Sequence, residues 1–67
     1  MFNRHQFAWE VRTINVETGG SGPTETVKAY WSPSAERVES AVADCGRVQA
    51  TRRTGRTHDA VAVTLIG

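Results

Sequence analysis

Within eight residues, Thr51-Arg52-Arg53-Thr54-Gly55-Arg56-Thr57-His58 gathers three arginines and a histidine around a glycine, with Arg47 just upstream. A guanidinium is a planar fork that grips a carboxylate or phosphate through two parallel hydrogen bonds. The chemistry this spacing offers is anion recognition rather than bond making. The net charge of +1 conceals a polarised chain. Residues 1–46 carry four basic and six acidic side chains, whereas residues 47–67 carry four basic and one acidic. Such a local cationic face draws phosphate or carboxylate partners even when the total charge is small. Arg47, Arg52, Arg53 and Arg56 are the candidate contacts, joined by Lys28 and Tyr30. The competing reading is a solvated edge hairpin whose charges prevent sheet-to-sheet association.

Other constellations fall short of chemistry. His58 and Asp59 are adjacent, so on a strand they diverge, and no nucleophile stands in a matching position. Cys45 is the single cysteine, which precludes an internal disulfide, and with the distant His5 and His58 it cannot complete a zinc site. Gly19-Gly20-Ser21-Gly22 lacks the lysine of a phosphate-binding loop and no helix follows at once, so it reads as a hairpin loop. The expectation is therefore a non-enzyme without catalytic residues, metal or cofactor.

Sixty-seven residues make one domain. A chain this short buries only about 60% of its unfolded surface, so a partner subunit or larger complex is an expected source of stability. No apolar run approaches the roughly 18 residues of a membrane span. The polar start Met1-Phe2-Asn3-Arg4-His5-Gln6 lacks the apolar core of a secretion signal. A lone cysteine suits a reducing compartment, and a cytoplasmic location is expected.

Elements that position these residues follow from periodicity. Phe7 to Glu17 alternates as a strand, with Phe7, Trp9, Val11 and Thr13 on one face and a bulge near Thr13. Thr18 to Thr24 is a Gly/Pro loop. Glu25 to Trp31 is a second strand that points Val27, Ala29 and Trp31 inward and Lys28 and Tyr30 outward. Ser32 reads as an N-cap with Pro33 at the first helical position. The stripe Ala35, Val38, Ala41, Val42, Cys45 makes a three-turn helix that Gly46 terminates. Arg47 to Arg53 then reads as a third strand, with Val48 and Ala50 inward. Thr54 to Thr57 is a turn, and Asp59 to Ile66 a fourth strand with Val61, Val63 and Leu65 inward. The expected fold is α+β, ββαββ: a four-stranded antiparallel sheet, order 2-1-3-4, with one helix on one face. Strand alternation would set Arg47, Thr51 and Arg53 on the open face and Arg52 on the other, making Arg53 and Arg56 the first residues to test.

Glu10-Val11-Arg12-Thr13-Ile14-Asn15-Val16-Glu17, a Gly-rich break, a strand entering Ser32-Pro33-Ser34-Ala35-Glu36-Arg37-Val38-Glu39-Ser40, then Cys45 and a further strand pair resemble small phage-encoded anti-CRISPR proteins. The likeness is to a type I-F inhibitor with a short helix on an antiparallel sheet, and covers roughly residues 8–53. It implies stoichiometric binding to a host ribonucleoprotein, the Cascade surveillance complex, with occlusion of its nucleic-acid-binding surface. Two alternatives from other classes stand beside it. One is a small module that lays its sheet or hairpin on DNA or RNA. The other is an assembly subunit whose apolar last strand pairs with itself as a homodimer.

Overall fold

The computed structural model describes residues 5–67, so Met1-Phe2-Asn3-Arg4 of the polar start lies outside the described residues. The chain is α+β: β1 (Phe7–Asn15), β2 (Glu25–Ala29), α1 (Val38–Thr54) and β3 (His58–Leu65). The three strands form one antiparallel sheet in the order β2-β1-β3. Both outer strands run antiparallel to β1 and hence parallel to each other, with α1 as their crossover: a β-α-β unit split by β1.

The expected fourth strand is absent from this sheet. Residues 47–53 are the second half of α1, and the helix that was to end at Gly46 runs through it to Thr54. The burial pattern gives the reason. Val38, Val42, Gly46 and Ala50 are all buried at four-residue spacing, a ridge laid on the sheet. Gly46 belongs to this ridge as its point of closest approach, since a Cβ there would overlap Val11 Cβ and Cγ1. The stop comes at Gly55, whose φ of 71° is left-handed and whose N–H donates to Thr51 O at 2.9 Å. Arginine and glutamine propagate a helix well, so 47–53 meets no local obstacle.

The helix also starts later than its first apolar residues suggest. Ser32 Oγ accepts the N–H of Ser34 (3.3 Å), and Ala35 N–H donates to Ser32 O (3.0 Å). Ser32 thus closes a tight turn instead of capping a helix. Arg37 then takes φ 66°, the left-handed region, and offers no side-chain cap before Val38 enters the core.

Trp9, Val11, Val27, Val38 and Val42 form the core, with Phe7, Ala29, Cys45, Ala60 and Val63 packed around it. Burying a valine contributes about 1.5–3 kcal/mol, so this small cluster carries much of the fold. The placements of Trp9, Val27 and Ala50 inside hold, though Ala50 enters from the helix. Trp31 does not: it lies past the end of β2 and is 43% exposed. Val61 and Leu65, expected inward, are also exposed, and Val63 is half-buried. A register shift does fall between Arg12 and Thr13, but the extra residue is Val61 on β3, which leaves Ile14 half-buried opposite Asp59 and Val16 exposed.

The β1–β2 connection is held by local bonds. Asn15 Oδ1 accepts the N–H groups of Glu17 (2.9 Å) and Thr18 (3.2 Å), Gly19 sits at φ 74°, and Thr13 Oγ1 donates to Pro23 O at 2.6 Å.

Candidate partner-binding surface

Arg52 and Arg53 occupy the last turn of α1, and Arg56 follows its Gly55 terminus. Cations here face the negative end of the helix dipole, which is favourable by about 0.3–1 kcal/mol each. The cationic end is therefore the terminus of a helix packed on the sheet, not a β-hairpin.

The four arginines differ in what holds them. Arg53 forks Glu25, with Nε donating to Oε2 and Nη2 to Oε1, both at 3.0 Å. Glu25 is almost wholly buried, whereas the Arg53 side chain remains 67% exposed. Arg53 thus compensates a buried carboxylate beside β2. Gln49, with its amide oriented to suit its neighbours, adds donors to Glu25 Oε1 (3.3 Å) and Thr26 O (3.2 Å). Arg47 lies 3.8 Å from Asp44 in an exposed i, i+3 pair, which holds it weakly. The Arg52 and Arg56 side chains are exposed and carry no ion pair or hydrogen bond to a described residue.

Lys28 does not join them. The inward face of β2 carries Glu25 and Val27, so alternation turns Lys28, opposite Ala8, to the face away from α1. That face also carries Glu10, Arg12, Thr26, Asp59, Ala62 and Thr64, so its charges are balanced. Arg47, Thr51 and Arg53, expected on this open face, belong to α1 on the other side. Tyr30 is exposed just beyond β2 and lines a shallow hollow with His5, Ala29 and Trp31, remote in sequence from the arginines. The six expected contacts divide into a cationic helix end of Arg52, Arg53 and Arg56, a mid-helix Arg47, and a separate Lys28 and Tyr30.

Two residues of this end take structural roles that the sequence pattern does not assign. Glu25 shares its strand phase with Val27 and Ala29, and a carboxylate on an inward face signals a buried acid that needs a partner. Its partner, 28 positions away, has no local signature. His58 is buried beneath the turn: its Nδ1 meets Arg56 O at 2.8 Å, and its N–H donates to Thr51 Oγ1 at 3.1 Å. Its ring also fills the space beside Gly22, where a Cβ would overlap His58 Cδ2. His58 fixes the helix-to-β3 turn and faces away from Asp59, which is exposed and accepts the N–H of Ala60.

Among the described residues no group of three His, Cys, Asp or Glu is placed to hold a metal, and no helix is long and apolar enough to cross a membrane. Comparison with family models, with curated proteins and with solved structures finds no match to the chain.

Proposed function

We propose that the chain is a non-enzymatic binding protein that docks its cationic helix end on an anionic macromolecular surface. The observation that carries this reading is the pair Arg52 and Arg56, exposed and without an acid among the described residues while Arg47 and Arg53 have one. The planar fork of a guanidinium is pre-organised, so little freedom is lost per hydrogen bond when it grips a carboxylate or phosphate. The sequence resemblance supplies the partner class: a host defence ribonucleoprotein of CRISPR interference, inhibited by occlusion of its nucleic-acid-binding surface. A module that binds nucleic acid through its sheet gains nothing from the charge-balanced open face.

The test is target-DNA binding by a purified type I-F surveillance complex titrated with the protein. Wild type should abolish DNA binding near one equivalent. Arg52→Glu plus Arg56→Glu should raise the required concentration at least about tenfold, since two charged contacts are worth more than 1.4 kcal/mol together. Labelled DNA and RNA alone should show no tight, salt-sensitive binding. Undiminished target binding at saturating protein would overturn the choice of partner; a charge-reversed variant that inhibits as well as wild type would overturn the role of the arginines.

A further inference from the structure

The two edges of the sheet are finished differently. The β2 edge is five residues long, carries Lys28, and has its Thr26 carbonyl engaged by Gln49. Short length, a lysine and a covering side chain all discourage strand addition. The β3 edge spans eight residues, and from Ala60 to Ile66 just beyond its end the run Ala60-Val61-Ala62-Val63-Thr64-Leu65-Ile66 has no charge and no proline. Val61, Leu65 and Ile66 are each about half exposed there.

Backbone direction along β3 follows from its pairing. Ile66 N–H donates to Ala8 O, and Thr64 and Ala62 lie opposite Glu10 and Arg12. In an antiparallel ladder these alternate residues face β1, so Val63 and Leu65 turn their N–H and C=O groups outward. The bulge residue Val61 falls outside the β1 ladder. At the strand's start the edge is already closed, because His58 N–H goes to Thr51 Oγ1 and Ala60 N–H to Asp59 Oδ1. The open stretch is therefore 61–65.

We infer that this stretch is a dimer interface, with β3 pairing antiparallel to β3 of a second copy to form a six-stranded sheet. The sequence is its own complement about Val63. A two-fold axis there sets Val63 against Val63, Val61 against Leu65, Ala62 against Thr64 and Asp59 against Gly67 of the other copy. No like charges meet, the outward-turned groups of Val63 face their own copies, and the exposed Val61 and Leu65 cover each other. An unrelated strand would satisfy the backbone but has no reason to match this register and this absence of charge. A second copy also extends a core of few buried side chains, the usual remedy for a domain of this size.

The experiment is a mass measurement by analytical ultracentrifugation across a concentration series, with amide hydrogen exchange on the same samples. Wild type should move from one to two chains, and the Val63 and Leu65 amides should gain protection in step. Val61→Lys with Leu65→Lys sets like charges opposite each other at both symmetry-related pairs, and should weaken association on the order of tenfold or more. Val61→Lys with Leu65→Glu places opposite charges there and should restore it. A wild type that stays monomeric to millimolar concentration would overturn the inference, as would a dimer whose Val63 and Leu65 amides exchange freely. Equal association by the two charge variants would also reject this register.

Discussion

The Arg53 guanidinium meets a carboxylate that is buried, whereas that of Arg52, one residue earlier, meets none among the described residues. Removing Arg53 strips two charge-assisted hydrogen bonds from Glu25 and leaves only the weaker Gln49 contact. Because the Arg53 side chain is itself largely solvent-exposed, the loss is moderated by screening. Arg53→Ala should cost about 1–2 kcal/mol, below the full range for two charged hydrogen bonds, and Arg52→Ala should fall within about 0.5 kcal/mol of wild type. Urea midpoints of the two variants check this, and equal midpoints would show that the buried pair contributes nothing. The contrast reverses the order of mutations that strand alternation suggests. Arg53 and Arg56 are its first choices, but Arg53 serves the fold, so Arg52 and Arg56 are the pair that tests the proposed docking without disturbing the Glu25 contact.

At the scale of the element, α1 draws its length from contact with the sheet. Gly46 carries no Cβ because Val11 occupies that space. Alanine would favour an isolated helix by about 1 kcal/mol, but overpacking a filled site costs about 1–3 kcal/mol. The cost outweighs the gain by up to about 2 kcal/mol, so Gly46→Ala should destabilise the protein and leave far-UV circular dichroism unchanged, with chemical denaturation as the measurement. A stabilised variant would mean that helix and sheet can part at no cost. The same glycine explains what the chain reveals unaided. Phe7 to Asn15, Glu25 to Ala29 and the last strand are legible from alternation, because a half-buried strand writes its face into every second residue. The helix is legible over Val38 to Cys45 and then lost. Gly46 has one local meaning, a terminator, and a second that depends on Val11, 35 positions away. Once the helix is cut there, Val48 and Ala50 fall two apart and pass for a strand. The arginine end is visible as charge, but its division into held and free guanidinium groups depends on Glu25, 28 positions from Arg53, and on a helix that runs unbroken from Asp44 through Arg47.

As a whole the molecule is a single sheet with one helix on one face, and its radius of gyration of 12.7 Å exceeds the roughly 11 Å expected for a compact chain of this length. Among the described residues there is one core cluster, and every element contributes to it or packs against it. Tryptophan fluorescence of a Trp31→Phe variant, which leaves buried Trp9 as the reporter, and far-UV dichroism should therefore show one coincident unfolding transition, and separated midpoints would reveal a helix or sheet able to stand alone. The helix-to-sheet approach at Gly46 carries a further meaning for the order of events in folding. A seventeen-residue helix with a glycine at its middle is a poor nucleus, since glycine adds about 1 kcal/mol to a segment that is marginal in water even without it. The early chain thus has no preformed helix on which strands can gather. Residues 38–45 and 47–54 become one rod only when β1 presents Val11 to the gap between them, so the rate of folding is governed by a loop closure across about half the chain.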